Sequence, residues 1–118
     1  VEFEGGLDFG DPCDDGNESQ DTAFEVQAGS FWGLAVCQGD EDWFRIPATV
    51  GAGTVRVEQQ AGSGNLDIEL YRSNGTLIEA ATTNEATEEL EMPSGVKYLR
   101  VFGRGGATGE YALHVVDN

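Results

Sequence analysis

Along most of this chain apolar and polar residues alternate one for one, the period of a strand with one face buried. The clearest instance is Leu66, Ile68 and Leu70 alternating with Asp67, Glu69 and Tyr71. From Asp42 to Ile46, Phe44 and Ile46 share one phase and Trp43 and Arg45 the other, and Pro47 closes the segment. Val55 and Val57 mark a strand over Thr54 to Gln59, and Leu90 and Met92 mark one over Thr87 to Met92. Lys97 to Phe102 and Glu110 to Val116 read as two long final strands, the last with Tyr111, Leu113 and Val115 on one face and Ala112, His114 and Val116 on the other. Phe24 and Val26 form a short strand, and Phe31 to Cys37 a second after an interruption at Gly29-Ser30. Asn74-Gly75, between Tyr71 and Leu77, is a hairpin signal that pairs Leu66–Tyr71 with Leu77–Ala81.

No window carries a convincing helical period. Eight or nine short strands in 118 residues predict an all-β fold, an antiparallel, jelly-roll-like β-sandwich whose two apolar sheet faces bury one another. Residues 1–22, rich in Gly, Asp, Asn, Ser and Glu, read as an acidic arm or loop packed on a sandwich of residues 23–118, one structural domain overall. The start Val1-Glu2-Phe3-Glu4 reads as that of a fragment or processed product. Apolar runs are only a few residues long, against the ~20 that a membrane-spanning helix needs, so no membrane insertion is expected.

Charge narrows the partners. Six Lys and Arg against twenty-two Asp and Glu give a formal charge of -16, whose field repels nucleic acid and anionic lipid and attracts cations. Cys13 and Cys37 lie in no C-x-x-C pair, and in this composition they are expected to form a disulfide in an oxidising compartment. That bond closes a loop of about 25 residues and contributes roughly 3–4 kcal/mol on the chain-entropy model.

Acidic residues gather in two places, Asp11, Asp14, Asp15, Asn17 and Glu18 in the first loop and Asp40, Glu41 and Asp42 in the second. A disulfide between Cys13 and Cys37 would bring the two together, and a hard cation with six to eight oxygen ligands suits such a set. Asp14, Asp15, Asn17, Glu18, Asp40 and Asp42 are therefore candidate ligands of a structural calcium ion. Asp42 serves equally well as an acceptor for backbone N–H groups at the strand start, and Asp67 is expected to face water. His114 reads as a surface or rim histidine, because no spacing announces partners for a zinc site or a Ser-His-Asp triad. Gly103-Arg104-Gly105-Gly106 lacks the Lys-Ser/Thr ending of a phosphate loop and reads as a turn. Trp43, Tyr98, Arg100 and Phe102 share an outward phase and form a candidate binding surface, expected to be covered by the N-terminal arm.

Five segments, in order, carry a family resemblance: Asp15-Gly16-Asn17-Glu18-Ser19; Thr22-Ala23; Gly39-Asp40-Glu41-Asp42-Trp43-Phe44; Leu66-Asp67-Ile68-Glu69-Leu70-Tyr71; and Gly95-Val96-Lys97-Tyr98-Leu99-Arg100-Val101 with Gly109-Glu110-Tyr111-Ala112-Leu113. Over Asp11 to Val116 the chain resembles the bacterial pre-peptidase C-terminal domain, a β-sandwich accessory module of exported peptidases and other proteins. Gly16 departs from the pattern, standing where the family has proline. The resemblance implies a non-catalytic module of a secreted or cell-surface protein that aids stability, localisation or substrate attachment. Its expected partners are other domains of the parent protein, or an extracellular protein or polysaccharide, and the chain is expected to be monomeric. The alternative is a calcium-dependent collagen-, peptide- or carbohydrate-binding domain, since collagenase relatives bind calcium or collagen.

Overall fold

The alternating segments become nine strands: β1 (Phe24–Glu25), β2 (Gly29–Val36), β3 (Glu41–Ile46), β4 (Gly53–Gln59), β5 (Leu66–Arg72), β6 (Leu77–Ala81), β7 (Thr87–Met92), β8 (Lys97–Gly103) and β9 (Gly109–Asp117). The computed structural model describes residues 19–37, 40–60, 64–83 and 85–117. The acidic arm expected over residues 1–22 falls outside this range except for Ser19 and a short 3-10 turn at Gln20–Thr22.

One sheet has five strands in the order β1-β3-β8-β5-β6, the other four in the order β2-β9-β4-β7. All pairings are antiparallel except β1 with β3. Alternation aims every second residue into the space between the sheets. Phe44, Ile46, Leu66, Ile68, Leu70, Leu99 and Val101 of the larger sheet meet Phe31, Leu34, Val55, Val57, Leu90, Tyr111, Leu113 and Val115 of the smaller. Full burial of each such aliphatic or aromatic side chain favours the fold by roughly 1.5–3 kcal/mol. The expected all-β sandwich is therefore the fold observed. Among the described residues no helix is long and apolar enough to cross a membrane.

The Asn74-Gly75 hairpin forms as expected. Gly75 adopts φ +89°, Thr76 N–H bonds the Asn74 side chain at 2.9 Å, and Arg72 N–H bonds the Thr76 carbonyl at 2.8 Å. Gly29-Ser30, expected as an interruption, instead belongs to β2, where Gly29 pairs with Val115 and Ser30 with His114. The irregularity lies one turn of the pleat later: the register shifts between Phe31 and Leu34, and Gly33 takes φ +77° there. This bulge lets Phe31 and Leu34 both point inward although three positions separate them.

Besides Asp42 on β3, two charged residues among those described fall in the inward phase. Lys97, in step with Leu99 and Val101, is fully buried, and its Nζ donates to the carbonyls of Val50 (2.7 Å), Gly95 (2.9 Å) and Gly51 (3.4 Å). Burial pushes its pKa below the ordinary lysine value. Glu88, in step with Leu90 and Met92 on edge strand β7, is the second.

Candidate functional site

At the head of β3, Asp40 and Asp42 share one phase, and Asp42 is buried between the sheets because its neighbours Phe44 and Ile46 set that phase. The Tyr111 hydroxyl, from β9, donates to Asp42 Oδ2 at 2.5 Å, so one partner of this carboxylate is a side chain of the opposite sheet rather than a backbone amide. Asp40 closes the turn before β3: its N–H bonds the Cys37 carbonyl at 2.9 Å and its Oδ2 accepts from Cys37 N–H at 3.4 Å. Asp40 and Asp42 thus lie within one turn of Cys37. Carboxylate oxygens of this kind suit a hard divalent cation, yet the described residues contain no group of three or more metal-binding side chains. The other candidate ligands, Asp14, Asp15, Asn17 and Glu18, and the cysteine Cys13 lie outside the described residues.

The outer face of the five-stranded sheet gathers the aromatic candidates. Trp43 pairs across strands with Arg100, and Tyr98 with both Arg45 and Tyr71, while Phe102 lies opposite Glu41 and Asp67. Arg100 organises them. Its Nε and Nη2 donate to the two oxygens of Glu41 (3.0 and 2.9 Å), its Nη1 donates to Glu69 (2.8 Å), and its guanidinium lies 4.0 Å from the Phe102 ring centroid. Trp43 Nε1 donates to Glu41 at 2.8 Å and Tyr71 Oη to Glu69 at 2.5 Å, with the Trp43 and Tyr71 rings 5.2 Å apart. Burial disfavours the Arg100 charge, but hydrogen bonds to Glu41 and Glu69 outweigh it and push the pKa further up. The Arg100 hydrogen bond in turn holds Glu41 below the usual carboxylate range, and burial with the Glu69 bond raises Tyr71. Every polar group that Arg100 offers to this strip is thus turned toward its own neighbours.

The outer face of the four-stranded sheet holds an arrangement that the sequence did not announce. His114 is on the outward phase, as expected, but it is only 7% exposed, which corrects the surface reading. Its Nδ1 lies 2.8 Å from Ser30 Oγ on β2 and its Nε2 lies 3.0 Å from Glu58 Oε1 on β4. The carboxylate at Nε2 can only accept, so that nitrogen carries a proton, while the serine hydroxyl can serve Nδ1 as donor or as acceptor. The order serine, histidine, carboxylate is that of a nucleophilic triad, here laid across the neighbouring strands β2, β9 and β4. Trp32 stands against the imidazole edge-on, ring centroids 5.2 Å apart at 83°.

Asp67 is a further correction. It is buried rather than facing water, because Arg104 folds over it with Nε at 2.8 Å from Oδ2, and Asn65 Nδ2 donates to Oδ1 at 3.3 Å. Arg104 also donates to the Thr82 carbonyl, which makes the glycine-rich turn a clasp over the β6–β7 connection.

This arrangement of sheets is similar to that of the pre-peptidase C-terminal domain of a collagenase from Bacillus anthracis. The match has TM-score 0.61 and 19% identity, and covers 78% of this chain and 92% of that one. The chain has the fold of a pre-peptidase C-terminal domain. At that identity the likeness speaks for the fold alone. The periplasmic g-type lysozyme inhibitor PliG of Aeromonas hydrophila aligns over 77% of this chain and 93% of its own, at TM-score 0.42 and 18% identity. No family model and no curated protein matches the chain.

Within the pre-peptidase C-terminal fold, the residues that sequence reasoning missed are partners rather than centres. Glu41 and Glu69 hold Arg100, and Ser30 and Glu58 hold His114. Each shares the outward phase of its strand, so the alternation alone would have put these side chains on the correct face. Their neighbours were hidden because strand order, β3-β8-β5 and β2-β9-β4, does not follow chain order.

Proposed function

We propose that the chain is a non-catalytic accessory module of an exported protein, which stabilises or localises the domains joined to it. The observation that carries this reading is the fold similarity to the pre-peptidase C-terminal domain of a collagenase, over 92% of that domain. Two features of this chain support it. The Ser30–His114–Glu58 row is laid across three neighbouring strands of one sheet, and its serine lies at Nδ1 with the carboxylate at Nε2, the reverse of the order at which a catalytic histidine takes its serine and its acid. The charge of -16 suits a module that stays dispersed outside the cytoplasm.

An oxidised Cys13–Cys37 pair is part of the proposal, and among the described residues there is no free cysteine. So is a structural calcium ion held by Asp14, Asp15, Asn17 and Glu18 together with Asp40 and Asp42; the hard oxygen donors at the head of β3 are what supports it. Calcium there would neutralise the gathered carboxylates, while Asp42 and Tyr111 would keep the site fixed to the core.

The experiment is direct. The purified chain is assayed with activated esters, peptides and glycosides, and fused to a secreted reporter whose yield and heat resistance are compared with and without it. No turnover and a more durable reporter are expected. Ester hydrolysis that vanishes in Ser30→Ala would overturn the reading.

A further inference from the structure

The outer face of the four-stranded sheet carries the two most exposed large apolar side chains of the described chain, Trp32 at 57% and Val116 at 56%. Trp32 is held firmly for so exposed a residue. Its edge rests on His114, and that imidazole is fastened at both nitrogens by Ser30 and Glu58. The indole is therefore already ordered, and a ligand would not have to supply that cost. Beside it, Gly33 bears no side chain, and a Cβ built there would meet nothing within 4 Å. The backbone next to Trp32 is therefore uncrowded.

The charges on this face are unequal. Glu58 on β4 and Glu89 and Glu91 on β7 are exposed and share the outward phase of Arg56, the one arginine among them. An aromatic face near carboxylates is complementary to a cation, which the ring quadrupole attracts while the acids neutralise its charge. Arginine and lysine fit best, because their alkyl stems cover apolar surface such as Trp32 and Val116 while the charged head stays at the rim. The same charges repel polyanions, and a molecule of charge -16 repels a second copy of itself. The aromatic strip on the opposite sheet differs: there Arg100 already occupies the cation's place, over Phe102 and between Glu41 and Glu69.

We propose that this face docks an extended polypeptide segment bearing arginine or lysine, with one cationic side chain stacked on Trp32 and its neighbours' charges met by Glu58 and Glu89. The assignment rests on the accessory-module reading and deepens it by naming the chemistry of the partner.

The test is a titration of the isotope-labelled full chain, followed through the indole N–H signals of Trp32 and Trp43. The probes are a synthetic peptide alternating glycine with arginine and lysine, the same peptide with glutamate in place of the basic residues, and cellohexaose as a neutral sugar. The basic peptide is expected to move the Trp32 signal saturably and leave that of Trp43 in place, and the other two probes to move neither. Trp32→Ala is expected to weaken binding about threefold to tenfold, the worth of an exposed to partly desolvated cation–π contact. Trp32→Phe should retain part of the affinity, which separates loss of the ring from loss of the fold. Glu79→Gln on β6 removes the same charge from the other sheet and should change affinity by less than about twofold.

Equal losses in Trp32→Ala and Glu79→Gln, or movement of both indole signals, would mean that only the general acidic field is felt, and would overturn the proposal. Saturable movement of Trp32 by cellohexaose, or no binding of the basic peptide, would overturn it as well. None of these outcomes bears on turnover, so the docking face can fail while the non-catalytic reading stands.

Discussion

Asp67 and Glu88, carried by strands of opposite sheets and each 1% exposed, are near enough for the Asp67 charge to act on the Glu88 carboxyl. Arg104 provides one cation, through Asp67, and Thr83 provides its N–H and hydroxyl to Glu88 at 3.1 Å. Burial, and after it the Asp67 charge, pushes Glu88 above the usual carboxylate range against the Thr83 hydrogen bonds. The pair clasps the edge where the chain crosses from β6 to β7.

Glu88→Gln should therefore stabilise the protein at neutral pH. A raised native pKa means that the folded chain holds a proton which the unfolded chain releases. The pair then contributes fully below the unfolded value, near 4.5, and loses that contribution as pH rises through the native value. Glutamine copies the protonated acid, accepting from Thr83 and setting no second negative charge near Asp67. Thermal unfolding should give the variant a higher midpoint than wild type at pH 7 and an equal one at pH 4. Equal midpoints at both would deny the pair any part in the pH response.

Tyr111→Phe removes the hydroxyl that donates to the buried Asp42 carboxylate. A buried acceptor that loses its donor costs about 1–3 kcal/mol. In a domain of this size each kcal/mol lowers the melting midpoint by about 4–8 °C. Urea unfolding should show the loss with an unchanged slope, and a midpoint within a degree of wild type would show that this hydrogen bond contributes nothing.

Lys97→Met keeps the packing of the stem but deletes the donors that serve three loop carbonyls. The expected loss is about 1–3 kcal/mol. Amide exchange should quicken in the segments around Val50 and Gly95, next to the bonded carbonyls. Uniform exchange across the chain would mean that the lysine has no local anchoring role.

Calcium added to chelator-treated protein should raise the melting midpoint, by about 2.7 kcal/mol of added stability at a hundredfold excess over Kd. Asp40→Asn should abolish the increment while leaving the Asp42–Tyr111 contact in place. A midpoint indifferent to millimolar calcium would end the metal proposal.

Alkylation without reductant should modify neither cysteine, and reduction should cost roughly 3–4 kcal/mol of stability. Two alkylated thiols in the untreated protein would refute the cross-link.

Most of the strands were legible in the sequence. Leu66, Ile68 and Leu70, or Tyr111, Leu113 and Val115, declare strand and inward face together, because a period of two leaves no other way to bury them. Leu77–Ala81 and Thr87–Met92 have their expected limits. The bulge at Gly33 was not legible, since a register shift exists only relative to a partner strand. The candidate site was legible only as separate pieces. Phase put Trp43 and Arg100 on one face, yet nothing local marked Glu41 and Glu69 as the clamps of that arginine.

Alternation along the chain therefore determined the fold class, the interior and the outward face of each strand, because these depend on neighbours two residues apart. Tertiary structure alone decided who meets whom. Ser30 reaches His114 across 84 positions and Asp42 reaches Tyr111 across 69. It also decided that Asp67, Glu88 and Lys97 are buried, since residues far along the chain are what cover and pair them. Hydrophobic burial is a property of composition and period, whereas a hydrogen bond needs an address in space.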